Sequence, residues 1–110
     1  YTPKPRAGSV SAEEFTRLAR STPTDVLILD VRNPDEANVG MIKGAMLIPD
    51  EELAARMAEV PKNKRILTHC LTGIRAEMAY HKLKEAGYNA AFLNNDIDVS
   101  KDGSFKITPR

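Results

Sequence analysis

The sequence contains no tryptophan, and aromatic residues fill only 5% of its 110 positions. It therefore has no aromatic stripe on which bases could stack, which argues against a nucleic-acid partner. Charge of one sign is also missing. The 16 basic residues face 15 acidic ones, for a formal net charge of +1. No field pulls the chain toward nucleic acid or an anionic membrane. No apolar run approaches the length of a membrane span. The first residues lack the basic-then-apolar pattern of a signal peptide. The chain starts at Tyr1, which fits a processed or excised chain. A cytoplasmic location is one expectation, and a periplasmic one, after loss of a signal peptide, is the other.

Cysteine is nearly absent as well. Cys70 stands alone, so no internal disulfide forms and the core must supply the stability. The soft ligands are Cys70, His69 and His81, with no Cys-x-x-Cys or His-x-x-x-His spacing. No metal site is expected from them, and no residue pattern asks for a cofactor. A lone cysteine is more often an inert core residue than a nucleophile, so its surroundings must decide.

What the sequence does have is one domain's worth of apolar material, 42% hydrophobic against 28% charged. Residues 1–8, with two prolines and a glycine, read as a linker. Ser11-Ala12-Glu13-Glu14 reads as a capping box, and Phe15, Leu18 and Ala19 follow at helical spacing. Val26 to Val31 is a continuous apolar run with β-branched residues, which suits a strand covered on both faces. Ala45 to Ile48, Ile66 to His69 and Ala90 to Leu93 are further short buried strands. Asp50 is expected to cap a helix with Leu53, Ala54 and Met57 on its apolar face. A further helix follows Arg75, lined by Ala79, Leu83 and Ala86 and stopped by Gly87. Residues 96–110, with Asp102-Gly103 between Ile97-Asp98-Val99 and Phe105-Lys106-Ile107, read as a C-terminal β-hairpin extending the domain of residues 9–95. Strands alternating with helices predict an α/β fold, a mostly parallel sheet with helices on both faces.

Cys70 sits where such a sheet binds ligands, after a strand and before a helix. A loop there turns backbone N–H groups inward and adds the positive end of the helix dipole. Donors aimed at sulfur favour the thiolate, the nucleophilic form. Gly73 gives the loop its backbone freedom, and Arg75 brings a fixed cation with a planar fork of donors. In Cys-x-x-Gly-x-Arg between strand and helix, the reactive reading of Cys70 outweighs the inert one.

These residues resemble the rhodanese family. One segment runs Leu29-Asp30-Val31-Arg32, then Pro34, Glu36, Gly40, Ile42, Gly44-Ala45 and Ile48-Pro49. The other is Cys70-x-x-Gly73-x-Arg75 with its following helix, and the two together span roughly residues 9–93. The resemblance implies a rhodanese-like sheet of about five strands and a sulfurtransferase. Cys70 would take sulfur from thiosulfate or a persulfide donor and pass it to a thiol, cyanide or partner protein. Backbone N–H groups of Leu71, Thr72, Gly73, Ile74 and Arg75 would hold the sulfur. Asp30 and Arg32 would support the site through hydrogen bonds and ion pairs. A monomer is expected.

Met41, Ala37, Leu71 and Ala76 depart from residues frequent in the family, Asn94-Asn95 replaces a glycine pair, and a hairpin replaces the final helix. With fewer cations at the loop, a neutral or bulkier donor competes with thiosulfate. Two other readings remain. A Cys-based phosphatase or arsenate reductase also has His-Cys before an arginine, but the phosphatase loop is one residue longer than Leu71 to Ile74. A non-catalytic rhodanese-like binding module is the other. His69 is expected to be a packed strand-end residue facing away from Cys70, and His81 to face solvent.

Overall fold

Strand residues alternate between the two faces of a sheet, and the apolar run at Val26 obeys that rule. Val26 and Ile28 pack on one side, Leu27 and Leu29 on the other. The structure, a computed structural model, describes residues 6–108. Its elements, in chain order, are β1 (Ser9–Val10), α1 (Ala12–Ser21), β2 (Val26–Asp30), α2 (Pro34–Ala37), β3 (Met46–Leu47), α3 (Asp50–Leu53), β4 (Arg65–His69), α4 (Ile74–Glu85), β5 (Ala90–Leu93), β6 (Asp96–Val99) and β7 (Phe105–Thr108). Five strands form one sheet in the order β1-β5-β4-β2-β3, every pair parallel. The α/β expectation of about five strands with helices on both faces holds.

Two apolar layers cover the sheet. On one face Phe15, Leu18 and Ala19 of α1 meet Ile28, Leu67, Ala91 and Leu93. On the other, Leu53 of α3 and Ala76, Ala79 and Leu83 of α4 meet Leu29, Ile66 and Phe92. The hairpin β6–β7 lies over the α1 side. Ile97 and Val99 are buried there while Asp96 and Asp98 face solvent, the period of two that a half-covered strand requires. Phe105 meets the Phe15 ring edge-on at 6.1 Å. The hairpin turn also presses on Gly40, where any Cβ would stand 2.1 Å from the Ser100 carbonyl oxygen.

Several local expectations need correction. β1 has no sequence signature, because two residues carry no period. It forms by pairing with β5, where the Phe92 N–H donates to the Gly8 carbonyl at 3.1 Å. The capping box at α1 is half made. Ser11 Oγ accepts from the Glu14 N–H at 3.1 Å, but the Glu14 carboxylate accepts from Arg65 at 2.8 Å. Asp50 is not a cap. Pro49 holds that position, and Asp50 is the first helical residue. Its carboxylate and carbonyl both accept from Lys82 Nζ, which ties α3 to α4. Ala54 is exposed, because α3 ends at Leu53 before a second turn can present it to the core. Ala86, expected on the apolar face of α4, is only half-buried, and Ala76 takes the buried place one turn before Ala79. Of the residues read as a linker, 1–5 lie outside the described residues. Arg6 binds the Glu77 carboxylate through Nε and Nη2.

Candidate active site

β4 delivers the chain to Cys70 at the carboxyl end of the sheet, and α4 begins at Ile74. Three residues must reverse direction between them. Gly73 makes the turn at φ +105°, a conformation that side chains with a Cβ rarely adopt. The reversal aims backbone donors at the sulfur. The Gly73 N–H lies 3.1 Å from Cys70 Sγ and the Ala76 N–H 3.4 Å from it. Thr68 closes the loop from beneath, its hydroxyl donating to the Ala76 carbonyl at 2.8 Å. Cys70 is 1% exposed, and the loop walls its sulfur on the α4 side of the sheet.

The expected donor set ran from Leu71 to Arg75. Gly73 belongs to it, but Ala76 lies outside it and came without a sequence signal, since any residue type supplies an N–H there. Leu71 and Ile74 point their side chains to solvent, and Thr72 is half-buried. The Leu71 carbonyl accepts from the Ile97 N–H at 3.1 Å, which joins the loop to the hairpin.

Arg75, expected at the end of the loop, is the second residue of α4, and its fork closes on Glu36 of α2 at 2.6 and 2.9 Å. That bidentate pair holds the Glu36 carboxyl far below its ordinary range, down to about 2, with the Asn33 N–H helping. Glu36 in turn raises the pKa of the guanidinium. The cation at the loop is thus charge-compensated. Glu36 was visible in sequence only as a motif letter, 39 positions from its partner.

Asp30 and Arg32 occupy the other face of the sheet from Cys70. The Asp30 carboxylate accepts from Arg32 Nε, Arg32 Nη2 and the Arg32 backbone N–H. Arg32 Nη2 also donates to the Gly40 carbonyl at 2.8 Å. Asp30 is fully buried and Arg32 nearly so. Their geometry fixes the end of β2 against the loop that follows α2, with no bond to the sulfur.

His69 is packed and turned away from Cys70, as expected, with its ring edge-on to Phe15 at 5.9 Å. Neither ring nitrogen has a hydrogen-bond partner among the described residues. Burial pushes the imidazole down to about 4, against the pull of Asp30 and with the help of Arg32, so His69 is neutral at pH 7. The unfolded imidazole takes up its proton near pH 6.5. Between those values the unfolded chain binds more protons, so the stability that neutral His69 gives above pH 6.5 is lost as pH falls toward 4. His69→Phe keeps the ring and removes the titration. Its urea midpoint is expected to gain on the wild type's as pH falls from about 6.5 to about 4, with the gain levelling below that. A constant difference between the two chains across that window would show that His69 does not titrate this way. His81 is solvent-exposed.

Two larger cavities, of about 520 and 640 Å³, contain none of the loop residues. No cluster of His, Cys, Asp and Glu fit for a metal occurs among the described residues. No helix among them is long and apolar enough to cross a membrane.

The family model for the rhodanese-like domain matches residues 11–101. A sulfurtransferase of Allochromatium vinosum is 38% identical over 79 residues, covering 72% of this chain and 73% of that protein. A tRNA uridine(34) hydroxylase of Bdellovibrio bacteriovorus is 36% identical over 89 residues, but the match covers 25% of its length. Among solved structures, reduced CoADR-RHD of Bacillus anthracis superposes with a TM-score of 0.68 at 36% identity, over 78% of this chain and 15% of that one. The rhodanese-like domain protein of Staphylococcus aureus gives 0.72 at 25% identity, over 80% and 85% of the two chains. This chain therefore spans most of two of these relatives and a small part of the other two. With its parallel sheet, its cysteine loop and its match over residues 11–101, the chain belongs to the rhodanese-like domain family.

Proposed function

We propose that the chain is a sulfurtransferase and that Cys70 carries the sulfur. The observation that supports this best is the pair of N–H groups, from Gly73 and Ala76, aimed at Sγ at the carboxyl end of β4. The 38% identical sulfurtransferase, matched over 73% of its length, supports it independently. The hydroxylases match over a quarter or less of their length, so they support a shared domain and not a shared reaction.

In this reading the Cys70 thiolate attacks the outer sulfur of a donor. The bond from Sγ to that sulfur forms as the donor's S–S bond breaks. The leaving group, sulfite from thiosulfate or a thiolate from a persulfide, departs with the electron pair. The loop N–H groups from Leu71 to Arg75, joined by that of Ala76, hold the transferred sulfur as its charge develops. An acceptor thiolate or cyanide then attacks the outer sulfur, and the electron pair returns to Sγ. Cys70 is the one cysteine of these 110 residues, so none of the others offers a second thiol, and the acceptor in this reading is an external thiol or cyanide. Asp30 and Arg32 act as positioning residues, through the strand end they hold.

Incubation with thiosulfate or glutathione persulfide, followed by intact mass, tests the reading. The wild type is expected to gain one sulfur atom, and Cys70→Ser none. Hydrolysis of a phosphate ester without any sulfur gain would replace sulfur transfer with phosphatase chemistry.

A further inference from the structure

We propose that Glu36 sets the class of sulfur donor. By closing on Arg75 it withdraws the cation at the Cys70 loop, so the site favours a donor of low charge with an apolar group over the thiosulfate dianion. The proposal rests on the sulfurtransferase reading and adds donor specificity to it.

A dianion is strongly hydrated, and a site must offset that hydration with charge or with hydrogen-bond donors. The loop brings backbone donors, the Gly73 N–H at 3.1 Å from Sγ and the Ala76 N–H at 3.4 Å. Cations are scarcer. With His69 neutral, Arg75 is the one cationic side chain in residues 69–77. Its guanidinium lies within electrostatic reach of the Cys70 sulfur. Yet Nη1 and Nη2 both donate to the Glu36 carboxylate, at 2.6 and 2.9 Å. The pair is partly buried, so solvent screens it less than a surface pair. Glu36 is anchored on its own side as well. Its Oε1 accepts from the Asn33 N–H at 3.0 Å, within the first turn of α2. The carboxylate is thus held in place to hold the cation.

Arg32, the other arginine of the two matching segments, is bound to Asp30 at 2.6 Å. Each of the two cations is therefore compensated by its own carboxylate. What the loop does expose is apolar, Leu71 at 45% and Ile74 at 68%. A donor in which a methyl group replaces a charged oxygen sheds less hydration on reaching the sulfur, and the methyl has apolar side chains to meet. Glu36 touches no donor in this account. It is a positioning residue, acting through the guanidinium it holds.

The test compares loading of the full chain, read as mass gain against time, by thiosulfate and by methanethiosulfonate. The two donors share the reacting S–S bond. In both, the Cys70 thiolate bonds to the outer sulfur, and sulfite or methanesulfinate leaves with the electron pair. They differ by one charge, a methyl group standing where thiosulfate has an oxygen. Glu36→Gln keeps an acceptor oxygen for the Asn33 N–H and removes the charge. It is expected to raise the thiosulfate rate relative to the methanethiosulfonate rate about tenfold, the scale of one freed charge acting on one more donor charge near the surface. The gain is expected to shrink as salt rises from about 0.05 M to about 0.5 M, and to vanish when Arg75→Gln is added, since no cation is then released. Leu71→Lys, at an exposed position, supplies a free cation without disturbing the pair and is expected to shift the ratio the same way. An equal change with both donors in Glu36→Gln, a gain that survives Arg75→Gln or ignores salt, or an unmoved ratio in Leu71→Lys would overturn the proposal. Failure of the wild type to gain sulfur from either donor would sink the sulfurtransferase reading and this one with it. Loading by both donors with no shift in the variants would sink the donor assignment alone.

Discussion

Arg32→Leu is expected to lower the unfolding free energy by about 3–5 kcal/mol, the cost of stranding a buried charge. Asp30 is fully buried and takes its side-chain hydrogen bonds from Arg32. Without the guanidinium, the carboxylate keeps only the backbone N–H of residue 32. The Gly40 carbonyl loses its donor in the same step. Domains of this size hold about 5–15 kcal/mol in all, so the variant approaches the edge of folding. Urea unfolding measures the loss. The double variant, Asp30→Asn with Arg32→Leu, separates charge from packing. It is expected to recover part of the stability, because the stranded charge is gone. A double variant no more stable than Arg32→Leu would assign the loss to packing alone.

Gly73→Val is expected to slow sulfur loading about 10²-fold, the scale of removing a positioned N–H donor from a developing anion. Its effect on folding is expected to be smaller, about 1–3 kcal/mol of backbone strain. A Cβ at this position would stand 3.1 Å from Asn94 Cα and 3.2 Å from the Leu93 carbonyl oxygen, both backbone atoms that cannot swing aside. The φ of +105° adds strain that space alone would not relieve. The loop must then shift and carry the Gly73 N–H away from Sγ, from which it now stands 3.1 Å. The rate of mass gain with glutathione persulfide reads the first effect, and the urea midpoint reads the second. Loading at the wild-type rate would remove this N–H from the mechanism.

Much of the scaffold is legible in the sequence because period and burial act locally. The run at Val26 reads as a strand covered on both faces, and Leu27 and Ile28 do pack on opposite layers. Asp102-Gly103 marks a hairpin turn, and β6 and β7 pair around it in antiparallel register. Contacts between distant segments leave no such trace. Arg75 announces a cation, but the carboxylate that compensates it lies on another helix. Glu14 fits the reach-back position of a capping box, and Arg65, 51 positions away, wins it. Asp50 has a capping side chain, yet Lys82 holds its carboxylate and proline takes the cap. The donor from Ala76 is a backbone group, which side-chain identity cannot reveal. Exposure at Met78 depends on what α4 leaves uncovered, a fact of packing and not of pattern.

The hydroxyl of Thr68 beneath the loop has a consequence for how this site can change. It donates to the Ala76 carbonyl at 2.8 Å, so the last strand residues and the first helical turn are joined through a side chain. The nine positions from Thr68 to Ala76 thus behave as a closed ring of set circumference. A substitution on the ring alters its lining and leaves its size alone. An inserted residue must either open the clamp or push α4 off the sheet that buries Ala76, Ala79 and Leu83. Mutation can therefore change what lines this loop far more readily than it can widen the loop.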